Sequence, residues 1–278
     1  MEGDGNGWVS CALGHRHWGL HGAAGLLLYA VDDRGTPQVL MQHRAAWTNE
    51  GDTWGVPGGA RDSHEDAPAA ALREAAEEAG IPSSGVRVRE VSRDEHGGWA
   101  YETVLADTPV PLPTVANQES EALAWVPMAE VEGLRLHPGF AGTWSRHRAE
   151  PLALVVDAAN VVGSRPDGWW RDREGAARRL RESLEPWRAR LVRDPDGALR
   201  VVASVLLVVE GRARPVSEDP GWVDVVAAPG TGDDAIVDAT EGQPSGRVLL
   251  VTADRGLRAR VGTAVTGPTW LLDRLPTP

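Results

Sequence analysis

The chain has 278 residues, of which 42% are hydrophobic and 24% charged, an ordinary globular mix on a length that fits one large domain or two of usual size. Its one cysteine, Cys11, excludes an internal disulfide framework and a zinc site built on several cysteines; with no apolar run long enough to span a membrane and no secretory signal pattern, a soluble, cytoplasmic protein is expected. The formal charge is −12, and residues 1–150 hold 22 acids against 11 arginines, a balance that opposes unaided polyanion binding there and suits collection of divalent cations.

A polar arm runs to about Gly19. Its His15-x-His17-x-x-x-His21 spacing could be read as a transition-metal cluster, but with neither a cysteine nor a helical period the more ordinary reading is a polar lead-in to the first strand. Two apolar runs, Ala23–Val31 and 38–42, joined by Asp32-Asp33-Arg34-Gly35, predict a hairpin. A Gly-rich loop at 51–60 leads to a helix over Ala67–Ala79, with Pro68 tolerated in its first turn and Gly80 and Pro82 ending it. Strands are expected at 86–91, 99–106 and 121–126, then a short turn or helix at 128–132. His137-Pro138-Gly139-Phe140 reads as the close of this half. A boundary at 145–151 divides a domain 1–148 from a domain 151–278. The second half opens on an apolar run, 152–157, that ends in an acid. A helix is expected at 174–191, strands at 201–209, 223–227 and 248–251, a short helix from Asp233, and a terminal apolar segment at 270–275. Strands alternating with helices predict an α/β protein with a parallel sheet here.

The helix at Ala67–Ala79 carries the strongest chemical signal. At about 100° per residue, Glu74, Glu77 and Glu78 fall within an arc of about 100°. Three carboxylates on one face repel one another, and a hard cation such as Mg2+ or Mn2+ would turn that face into a site. Ala69, Ala70, Leu72, Ala75, Ala76 and Ala79 are small enough for close packing on the other side. The loop Trp54-Gly55-Val56-Pro57-Gly58-Gly59 lets backbone approach the cation. Arg73 and Glu65 are expected to pair and pin loop to helix.

Gly59, five residues, Glu65, seven residues, and then Arg73-Glu74-Ala75-Ala76-Glu77-Glu78-Ala79-Gly80-Ile81 resembles the Nudix box. Ala75 stands where that family usually has a larger aliphatic residue. The resemblance covers about residues 17–145. It implies an α/β/α sandwich with a mixed sheet and hydrolysis of a nucleoside diphosphate linked to another moiety, by attack of water at phosphorus with Mg2+ or Mn2+. It also implies that Glu74, Glu77 and Glu78 are metal ligands, that Gly58 supplies a carbonyl ligand, and that a distal glutamate acts as ligand or base. Glu119 and Glu121 are the candidates for the last role, Glu119 preferred. Trp18, Trp47, Trp99 and Trp144 could stack on a base, with packing the more ordinary role.

In the second half, Asp157 and Asp254 end apolar runs, and Asp233 opens a helix. In a parallel sheet such residues share the carboxyl edge of the strands, where they could hold one or two Mg2+ or Mn2+ ions for attack on a phosphodiester. Asp157-x-x-Asn160, Gly232-Asp233-Asp234-x-Ile236 and Thr252-x-Asp254-Arg255 resemble the NYN branch of the PIN-like nucleases. That resemblance covers about 152–275. It implies a Rossmann-like domain with a mainly parallel sheet, a metal-dependent ribonuclease activity, and a further acid among Asp167, Asp172, Glu174 and Asp238. Between Arg165 and Arg193 lie nine arginines, interleaved with Trp169, Trp170 and Trp187, a pattern that would suit single-stranded RNA. The alternative is a protein of little turnover, whose first half senses a nucleotide and whose second half binds RNA or a partner.

Overall fold

The structure is a computed structural model that describes residues 3–165, 168–243 and 247–275. The chain divides into two compact units, Met1–Arg148 and Ala149–Pro278.

The first unit runs β1 (Trp8–Ser10), β2 (Arg16–Trp18), β3 (Ala23–Val31), β4 (Pro37–Arg44), β5 (Trp54–Gly55), β6 (Gly58–Ala60), α1 (Ala67–Ala79), β7 (Arg87–His96), β8 (Trp99–Asp107), β9 (Ser120–Pro127) and α2 (Pro138–His147). The expected polar arm is a hairpin, with β1 antiparallel to β2. The main sheet has the order β5-β4-β3-β8-β7, with β6 added to β3 and β9 to β4. It is mixed, because β3 and β8 run parallel while their other neighbours are antiparallel. All nine residues of β3 are buried, since the strand is central and covered on both faces. Ala24, Leu26 and Leu28 meet Ala67, Ala70, Ala71, Ala75 and Ala79 of α1, small side chains that allow the helix close to the sheet. The predicted helix faces need correction: Ala69 and Ala76 are exposed, Ala71 is buried, and Glu78 lies on the buried side. The His137-Pro138 segment starts α2, with the His137 ring accepting the Gly139 N–H at 3.2 Å as its cap.

The second unit runs β10 (Glu150–Asp157), α3 (Ala158–Gly163), α4 (Arg173–Leu184), β11 (Leu191–Arg193), β12 (Leu199–Val209), β13 (Asp224–Ala227), α5 (Gly232–Glu241), β14 (Arg247–Val251), α6 (Arg255–Arg258), β15 (Ala264–Thr266) and α7 (Pro268–Leu272). The sheet order is β11-β12-β10-β14-β15, with β13 also on β12, and only β11 is antiparallel. Leu152, Leu154 and Val156 of β10 enter one core with α4 and α7, while Val155 enters another with Ile236 and Leu257. Burial on both faces is why the strand reads as an unbroken apolar run. The helix expected to reach 191 stops at Leu184, because Pro186 removes a backbone donor and crowds the preceding turn. Among the described residues, no helix is long and apolar enough to cross a membrane.

Candidate active site

In the first unit, Asp66 caps α1 by accepting the Ala69 N–H at 2.8 Å, and Gly80 closes it in the left-handed region at φ 68°. The β6 strand lays Gly58 and Gly59 against β3. A Cβ at Gly58 would sit 2.5 Å from the Ala24 carbonyl oxygen, and one at Gly59 would sit 2.6 Å from Glu74 Oε1. Only glycines let the loop backbone come this close to both strand and helix.

The glutamates have unequal surroundings. Glu78 is 4% exposed, and its Oε2 accepts the Gly58 N–H at 2.9 Å. Burial pushes its carboxyl up to about 8, against the pull of the Gly58 N–H, and the charges of Glu74 and Glu119 add to the rise. Burial also raises Glu74, although Arg73 opposes it. Arg73 is the clamp expected from the sequence. Its Nε and Nη2 donate to the two Glu65 oxygens at 2.8 and 2.9 Å, its Nη1 to Glu74 at 2.8 Å, and its Nη2 also to the Ala60 carbonyl at 3.0 Å. A planar fork matches this set and an ammonium does not. Arg73 holds Glu65 below the usual carboxylate range. Glu77 is exposed and lies 3.5 Å from Arg73. Glu119 is exposed just ahead of β9, and its charge acts on both Glu74 and Glu78. Among the described residues, no three of these four carboxylates close to within 4.8 Å of one another.

In the second unit, Asp157 ends β10 and also caps α3, accepting the Asn160 N–H at 3.0 Å. Its other oxygen accepts the Thr252 hydroxyl at 2.8 Å. Asn160 Oδ1 accepts the Ala253 N–H at 2.8 Å, so the loop after β14 is tied to the end of β10. Asp254 follows in that loop and caps α6 through the Leu257 N–H. Burial raises the Asp157 carboxyl, and Glu210 and Asp233 raise it further. Glu210 is the acid that the sequence reading missed. It directly follows β12 and accepts the Gly232 N–H at 2.7 Å. An acid closing the run 201–209 carries the same signal as Asp157 closing its own. Asp172 caps α4 and Glu174 pairs with Arg178, Asp238 lies on α5, and Asp167 is outside the described residues.

Within the arginine-rich stretch, several side chains have acidic or core partners. Trp187 is fully buried in the core. Arg181 is buried against Glu185, and Arg178 pairs with Glu174 and Asp219. Trp170 stays 56% exposed, with Trp169 beside it under the Arg173 guanidinium. In the first unit Trp144 is buried, Trp18 packs edge-on to Trp8, and Trp99 stacks on His17, leaving Trp47 exposed.

Residues 19–146 match the NUDIX domain family. A Mycobacterium tuberculosis protein named "Putative 8-oxo-dGTP diphosphatase 3" is 50% identical over 162 residues, 56% of this chain and 75% of that protein. A Bifidobacterium longum protein named nucleoside triphosphate pyrophosphatase/Nudix hydrolase fusion protein is 43% identical over 150 residues, 52% of this chain and 31% of that one. Among solved structures, a Nudix hydrolase from M. smegmatis shares 50% identity over 52% of this chain and 93% of its own, with a TM-score of 0.49. The chain belongs to the Nudix family, and its N-terminal unit is a Nudix pyrophosphohydrolase.

Proposed function

We propose that the N-terminal unit hydrolyses an oxidised purine nucleoside triphosphate of the 8-oxo-dGTP kind to its monophosphate, with Glu74, Glu77 and Glu78 and the Gly58 carbonyl as ligands for Mg2+ or Mn2+. The observation that carries the metal reading is Glu78: a carboxyl buried on a backbone N–H, with Glu74 and Glu119 close by and its proton affinity raised. Such a cluster is short of positive charge, and its hard oxygen donors fit Mg2+ or Mn2+, the kind of ion that Nudix enzymes generally use. Bound there, the ion would neutralise phosphate charge and lower the pKa of the attacking water. The Gly58 N–H orients Glu78. Arg73 holds Glu74 to the loop and fixes the helix register against β6. Glu119, whose charge acts on both Glu74 and Glu78, would serve as a further ligand or as the base that takes a proton from water. The substrate class rests on the name of the M. tuberculosis relative. The test compares 8-oxo-dGTP with dGTP and ADP-ribose at equal concentration with Mg2+ and with Mn2+, reading kcat/KM. A preference for 8-oxo-dGTP supports the proposal, and equal or better turnover of the others overturns the substrate while leaving the chemistry.

For the C-terminal unit we propose a metal-dependent, NYN/PIN-like nuclease site for single-stranded RNA, formed by Asp157, Asp233 and Asp254 with Glu210 as the further acid. The nearness of Glu210 and Asp233 to Asp157, close enough for their charges to raise its carboxyl, favours it. Incubation of labelled RNA with the full chain and Mn2+ should give cleavage that Asp157→Asn abolishes. Equal cleavage by both proteins, or none by either, removes the reading.

A further inference from the structure

The β1–β2 hairpin brings together residues that the sequence keeps apart. Its register pairs Val9 with His17 and Ser10 with Arg16, and the Cys11 N–H donates to the His15 carbonyl at 2.9 Å to close the turn. Ligand atoms of Cys11, His15 and His17 lie within 4.8 Å of one another. The spacing His15-x-His17 alone gave no reason to include Cys11, because only a tight turn folds residue 11 back onto 15 and 17. Cys11 is buried and His15 exposed.

The turn is docked on the β7–β8 turn, where the Ala12 N–H donates to the Gly97 carbonyl at 2.9 Å. His17 stacks on Trp99 at 4.2 Å between ring centroids, and the His96 ring stands edge-on to it at 5.2 Å. His17 Nε2 is buried without a hydrogen-bond partner. A buried polar atom left unpaired is costly, and a metal ion is one of the partners that removes the cost.

We propose that Cys11, His15 and His17 bind a zinc-class transition-metal ion and that the ion locks the N-terminal hairpin, with the His96 ring standing beside His17. One thiolate and imidazoles are borderline-soft donors, which suit Zn2+ or Co2+ and not Mg2+ or Mn2+. The site is therefore distinct in chemistry from the glutamate cluster on α1. Ligand atoms already within 4.8 Å need only a small closure to reach tetrahedral contacts of about 2.0–2.3 Å from the ion. Binding at neutral pH releases the Cys11 thiol proton to solvent.

Cobalt titration of the full chain tests this. Cys11 is the only cysteine, so a thiolate-to-cobalt charge-transfer band in the near ultraviolet reports this site alone, whatever binds at the glutamates. The expected result is such a band that saturates at one equivalent, is displaced by Zn2+, persists in Glu78→Gln and is absent in Cys11→Ser. The exposed His15→Gln, which should not disturb folding, should weaken Zn2+ by more than the roughly 10–100-fold that loss of a supporting partner costs. Cobalt binding without the band, or Zn2+ affinity unchanged in both Cys11→Ser and His15→Gln, overturns the proposal.

Discussion

The two units gather acids in opposite ways. On α1, Glu74, Glu77 and Glu78 lie within about one turn of one helix; Arg73 on the same helix ties Glu74 to Glu65 and the loop, and the Gly58 N–H holds Glu78. In the second unit, Asp157, Glu210, Asp233 and Asp254 come from four segments; backbone N–H groups and the Thr252 hydroxyl hold Asp157, Glu210 and Asp254, while Asp233 faces Arg260 at 3.8 Å. The first arrangement compensates its charges with a clamp inside the motif. The second relies on the strand register that puts Asp157 beside Val208 and Val156 beside Val251. A local site is written in adjacent residues, and a dispersed one exists only after the sheet has formed.

The largest effect should follow from removing the charge of Glu78. Glu78→Gln keeps an acceptor for the Gly58 N–H, so the fold should persist while kcat falls about 10²-fold or more. Near-wild-type turnover would show that the buried carboxyl is structural and would break the comparison at its stronger end.

Arg73→Lys sharpens the same end. The substitution keeps the charge but loses the fork that serves Glu65, Glu74 and the Ala60 carbonyl together. Turnover should fall roughly tenfold, as for loss of a group that orients ligands, with a lower Tm. An unchanged kcat with only a lower Tm would assign Arg73 to stability alone.

These contrasts explain what was legible in the sequence. The box from Gly59 to Ile81 was readable because every residue in it lies within 23 positions and obeys a helical period. The hairpin over Ala23–Val31 was readable because a turn of polar residues breaks two apolar runs. Three features were not. Glu78 sits on the buried face, where the Gly58 N–H of β6 offers a donor, and no periodicity encodes that donor. Glu210 went unnoticed because an acid after an apolar run gains meaning only once β12 is known to lie beside β10. The partners of Arg181 and Arg178, Glu185 and Asp219, were not legible within the arginine stretch, since Asp219 is 41 residues from Arg178.

The smallest effect separates two aspartates of one sheet. Asp194, after β11, is fully buried yet compensated at the amino end of the strands. It accepts Arg200 Nε at 2.9 Å and the Ala198 and Asp196 N–H groups, with Arg247 at 3.5 Å. Burial alone would raise its pKa, but Arg200, the Ala198 N–H and Arg247 together hold it below the usual aspartate value. The sign follows: a depressed folded pKa contributes stability that is present above the unfolded value, about 3.9, and is lost as pH falls through the folded one. Asp194→Asn should therefore cost about 1 kcal/mol at neutral pH and flatten the acid limb of a Tm-against-pH curve. Asp157 lacks such compensation. Asp157→Asn retains an acceptor for the Asn160 N–H and removes a charge that burial disfavours, so its Tm at neutral pH should stay or rise. If the two substitutions instead destabilised alike, the carboxyl-edge acid would be structural, as the amino-edge one is, and the functional distinction between the two ends of the sheet would be lost.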